Sequence, residues 1–123
     1  MSPRALLASA WTLVILALCW IPSHLLRVNE SGPRPFLFAH IDKLVHFSLF
    51  AGFAFLWARV GRPRAGLVLA AGVALAILTE LGQELPIVGR DADVLDGLAD
   101  AIGVAVGLLA FEAIRRGGGK PEI

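Results

Sequence analysis

Asp42, Lys43 and His46 are the first residues along this sequence whose types and spacing suit chemistry. Asp42 and His46 stand four apart, so a helix places them on one face, with Lys43 adjacent. Glu80, Gln83 and Glu84 form a second polar group, and Glu80 and Gln83 share a face at a spacing of three. Asp93, Asp96 and Asp100 form a third, on one helical stripe with Gly103 and Gly107. A histidine flanked by buried acids can move protons, which makes His46, Glu80 and Asp96 candidates for general acid–base catalysis. No serine or cysteine stands in a nucleophile's setting, so covalent catalysis is not expected.

The same residues suit ligand binding equally well. Lys43 and Arg90 would meet an anionic head group, and Asp42, His46, Glu80, Gln83, Asp96 and Asp100 would complete the lining and position the cations. A third reading is purely structural: Lys43 pairs with Asp96 or Asp100, and Arg90 with Glu80 or Asp42. Ion pairs at hydrocarbon depth are a costly way merely to join helices, since apolar packing would serve as well. That weighs toward a binding or chemical role. A metal held by His46, Glu80, Asp96 and Asp100 would suit zinc or manganese. With no HExxH pair or Cys/His quartet, and with lysine and arginine supplying counter-charge, neither a metal nor another cofactor is expected.

The elements that must position these groups are membrane helices. Of 123 residues 57% are hydrophobic and 17% charged, and the mean hydropathy is +0.74. A soluble domain of this size needs more polar surface to cover its core. A net charge of +1 offers no basic face for a nucleic acid. The bilayer is the expected partner.

Four apolar blocks predict an all-α, polytopic integral membrane bundle of four transmembrane helices, one domain over 1–123, with spans near 5–26, 41–60, 65–85 and 94–114. Pro22 is expected to kink or end the first helix. Val28 to His40 reads as a loop from Asn29, Ser31, Gly32, Pro33 and Pro35. Arg59-Val60-Gly61-Arg62-Pro63-Arg64 reads as a basic turn. Arg4, Arg59, Arg62, Arg64, Arg115, Arg116 and Lys120 fall on one side of this arrangement, so both termini are expected in the cytoplasm, with the chain in the inner membrane. Trp11, Trp20 and Trp57 read as lipid-facing or belt aromatics, His24 and His40 as interfacial, and Cys19 as a small buried hydrophobe.

The charge-free stretches 44–58 and 65–79 rise only about 22 Å as helices, short of a hydrocarbon core of about 30 Å. Polar residues must therefore be drawn into the spans. They stand at the beginning of the second span, the end of the third and the beginning of the fourth, which antiparallel neighbours bring to one membrane face. Under the basic-residue rule that face is extracytoplasmic.

At these residues the sequence resembles the VanZ-like family of small bacterial membrane proteins. The likeness rests on Asp42-Lys43-x-x-His46-Phe47, then Glu80-x-x-Gln83, Pro86, Arg90, Asp96, Gly103 and Gly107, in the family's order and over about two-thirds of the chain. The family usually carries an asparagine four residues after the aspartate, where this chain has Asp100. The resemblance implies a multi-span protein of the cell envelope. Some members are associated with lowered sensitivity to lipid-tailed glycopeptide antibiotics such as teicoplanin. A lipid-linked or amphipathic cell-wall molecule is the expected ligand; the alternatives are an enzyme acting on such a molecule and a structural subunit.

Overall fold

Apolar runs between turn-forming residues fold as four helices: α1 (Pro3–Cys19), α2 (Phe36–Ala58), α3 (Ala65–Gln83) and α4 (Val94–Gly118). This is a computed structural model in which residues 2–20, 36–61, 65–85 and 94–118 are described. Among them there is no strand.

Local chemistry sets the helix ends. Ser2 Oγ accepts from Ala5 N at 3.1 Å, and Pro3 takes the first helical position, where no amide hydrogen is needed. Gly61, with φ of +65°, stops the turn after α2 in a conformation that suits glycine. Asp96 lies in the first turn of α4 and Arg115 and Arg116 in its last, each matched to the helix dipole.

Three helices are long and apolar enough to cross a membrane, through Ile41–Ala58, Ala65–Gln83 and Val94–Gly117. Their outward residues, among them Leu44, Leu67, Leu81 and Leu109, are more than half exposed, a surface suited to acyl chains. The first helix has 17 residues, short of the span expected over 5–26. Pro22 and most of the expected loop lie outside the described residues. That loop was drawn too long, because α2 already begins at Phe36. Phe36-Leu37-Phe38-Ala39 carries no turn former, and hydrogen-bonded helix is the state apolar backbone needs.

Packing is closest between α2 and α4. A Cβ on Gly103 would collide with the Phe47 carbonyl oxygen and lie 3.2 Å from Ala51 N; one on Gly107 would collide with the Ala51 carbonyl oxygen. The helices thus touch backbone to backbone, as small residues permit in membranes. The core beside this seam holds Ile15, Phe50, Phe53, Ala54, Leu75 and Val104.

The tryptophans correct an expectation. Trp11 Nε1 donates to the Leu49 carbonyl at 2.8 Å, Trp20 Nε1 to the Thr79 carbonyl at 3.1 Å, and Trp57 Nε1 to Thr12 Oγ1 at 2.9 Å. They bind α1 to its neighbours, a role beyond that of lipid-facing or belt aromatics. An indole N–H without water finds its acceptor on the next helix.

Candidate functional site

His46 lies on the face of α2 that also carries Phe50, Phe53 and Ala54, each at most 5% exposed, so its ring is drawn inward with them. From α4, the stripe that meets α2 through Gly103 brings Asp100 and Asp96 to the same level. Asp100 is fully buried, and His46 Nδ1 lies 2.9 Å from its Oδ1. The other ring nitrogen, Nε2, faces Asp96 Oδ2 at 3.7 Å and Asp42 Oδ1 at 4.0 Å. Lys43 Nζ donates to Asp96 Oδ1 at 2.6 Å and lies 3.7 Å from Asp42 Oδ2. Each of these two carboxylates therefore turns one oxygen to lysine and the other to histidine.

The cluster has a part-exposed rim and a buried floor. The Asp42 and Lys43 side chains are each 29% exposed, while Asp96, His46 and Asp100 are buried. On the floor, Asp100 Oδ2 has no hydrogen-bond partner among the described residues. Such an oxygen is costly to bury.

Of the residues the sequence singles out, five meet here: Asp42, Lys43, His46, Asp96 and Asp100. Glu80 reaches α4 from α3 beside Asp96 in sequence, with Oε1 2.6 Å from where a Cβ on Gly97 would stand. Gln83 is turned elsewhere: 2% exposed, it donates through Nε2 to the Cys19 carbonyl at 3.1 Å and ties α3 to the end of α1. Glu84 is exposed. Arg90 and Asp93 lie outside the described residues, and with them the pairing of Arg90 to Glu80 or Asp42. Lys43 pairs with Asp96, one of the two partners its position suggests.

Chemically the arrangement is an acid–imidazole pair whose free edge looks toward two more carboxylates and the rim. Asp100 fixes the ring's orientation, as a partner on one nitrogen does for the other. Ser48 lines a groove of about 280 Å³ with Trp11, Leu44, Val45 and Leu49, and Cys19 is buried in the core. Neither hydroxyl nor thiol is placed on the imidazole. A larger groove, about 580 Å³, opens between α1, α2 and α3 near Trp57 and Val60, toward the opposite end of α2 from the cluster.

Sequence reasoning missed the contacts that hold α1, those of Trp11, Trp20 and Gln83 among them, because all three acceptors are backbone carbonyls, which every residue offers. Their trace in the sequence is two small residues: a Cβ on Gly52 would collide with the Trp11 ring and one on Gly82 with the Trp20 ring. No protein-family model, curated protein or solved structure matches this chain.

Proposed function

We propose that this chain is a VanZ-like protein of the bacterial inner membrane, with four spans and both termini cytoplasmic. Its polar site, near the extracytoplasmic face, binds the head group of a lipid-linked or amphipathic cell-wall molecule. The observation that carries this reading is the graded exposure of the cluster, from the rim at Asp42 and Lys43 to the buried pair of His46 and Asp100. Lys43, already steadied by Asp96, offers donors to head-group oxygens, and Asp42 offers acceptors to hydroxyls or amides. The tail of such a molecule would run along the leucine-rich outer surface.

A second reading has its own support. His46 Nε2 faces the rim side of the cluster while Nδ1 is held by Asp100, the arrangement of an oriented general base or acid. Under it the same head group would be transformed as well as bound.

The test uses full-length protein in lipid nanodiscs and a polyprenyl-diphosphate-linked disaccharide as probe. Wild type should retain the probe, and Lys43→Ala and Asp96→Asn should weaken retention about tenfold, the effect of losing one charged hydrogen bond. Equal retention by all three would refute the binding reading. Cleavage of the probe by wild type and not by His46→Ala would favour the enzyme. A loss of detergent stability in every variant with no retention in wild type would favour the structural subunit.

A further inference from the structure

We infer that Asp42, His46 and Asp96 form a binding site for one divalent transition-metal ion of the zinc or manganese kind. It deepens the reading above, since it concerns the same cluster, but it does not require a lipid-linked ligand to exist.

Four observations converge. First, one oxygen from each aspartate and one nitrogen of His46 lie within 4.8 Å of one another. Metal bonds of about 2.0–2.2 Å place ligand atoms about 3–4 Å apart around an ion, so small side-chain rotations complete the shell. The separations of 3.7 and 4.0 Å from Nε2 are too long for hydrogen bonds and suit two ligands of a common ion.

Second, His46 is 5% exposed, yet its Nε2 makes no hydrogen bond among the described residues and is aimed between the two carboxylates. A ring nitrogen so placed can carry a metal bond.

Third, Asp100 already occupies Nδ1 at 2.9 Å. Metal-binding histidines are held in this way, a carboxylate accepting from one nitrogen while the other carries its lone pair to the ion. Asp100 is thus a positioning residue, not a ligand.

Fourth, Lys43 does not block the site. It takes Asp96 Oδ1 and approaches Asp42 Oδ2, while the oxygens facing His46 are Asp96 Oδ2 and Asp42 Oδ1. With the ring neutral, as a metal bond requires, three carboxylates and one ammonium give the five residues a formal charge of −2, which a divalent cation cancels. Two carboxylates and an imidazole are hard-to-borderline donors, the set that takes zinc or manganese. The ligands come from two helices, so no short motif announces them, and Asp42 stands where spacing alone suggests Glu80.

Full-length protein in detergent, stripped with chelator, should take up one equivalent of Zn²⁺ or Mn²⁺ per chain by calorimetry and unfold at a higher temperature with it. A double His24→Ala, His40→Ala variant should bind as wild type does, which removes the other two histidines as the source. His46→Ala and Asp96→Asn should weaken binding at least a hundredfold. Asp100→Asn should weaken it about tenfold at unchanged stoichiometry, the usual effect of a partner behind a ligand. Lys43→Met should bind at least as tightly as wild type. No uptake of either ion, or uptake unchanged in His46→Ala, would overturn the site. Should His46→Ala fail to fold, X-ray absorption of the zinc-loaded wild type decides: imidazole scattering with oxygens near 2.0–2.2 Å supports it, and an oxygen-only shell overturns it. Absent metal uptake with disaccharide-lipid retention intact removes this site alone; metal uptake without retention removes the head-group reading alone.

Discussion

The two ends of the bundle both carry ion pairs, and they use them in opposite ways. At one end Lys43, His46, Asp96 and Asp100 join α2 to α4 in a mostly buried cluster. At the other, Glu112 is held by Arg115 and Arg116, three and four residues along its own helix, with the arginine side chains 53% and 74% exposed. Arg4 reaches the Arg59 carbonyl at 3.3 Å nearby. The first set fixes how helices meet. The second lies at the surface and constrains only its own helix. What separates them is depth and sequence distance, not the number of charges. Removing a partner at the buried end strands its mate, whereas the exposed end lets water replace what is lost.

The sharpest way to break the contrast is to part α2 from α4. Gly103→Leu forces a side chain into the Phe47 carbonyl and should cost about 3 kcal/mol or more, read as thermal unfolding in detergent, with the buried cluster lost as well. Next comes Asp100→Ala, which leaves His46 Nδ1 without its partner in the core. The expected cost is about 3 kcal/mol, and Asp100→Asn, which keeps an acceptor, should recover much of it. Trp20→Phe removes one indole donor to the Thr79 carbonyl and should cost about 1 kcal/mol, seen as faster proteolysis of α1. Glu112→Gln should leave the unfolding temperature unchanged within error. A large effect there, or a negligible one at Asp100, would erase the distinction between the ends.

Much of the buried end was legible in the sequence because membranes impose strict arithmetic. Charge-free stretches too short to span had to recruit Asp42, His46, Asp96 and Asp100, and alternating directions had to bring them together. The four-residue step from Asp42 to His46 and the glycine stripe then named the faces. Two things were not legible. Gln83 has the composition of a site residue yet serves the Cys19 carbonyl, since a backbone acceptor leaves no mark in residue identity. The tryptophans look like belt residues for the same reason. The start of α2 at Phe36 was hidden by the turn formers just before it, which end a loop rather than forbid the helix that follows.

The glycine seam has a further consequence for how the cluster behaves in time. His46 directly precedes Phe47, and Asp100 lies one turn before Gly103, so the contact that sets the spacing of two backbones also sets the gap between acid and imidazole. A slip of α4 along α2 by one residue, about 1.5 Å, would shift Asp96 and Asp100 together relative to Lys43 and His46. The charged groups therefore move as a unit, and anything that pries the helices apart at Gly107, which meets α2 at Ala51 about two turns from Lys43, disturbs the cluster without touching it.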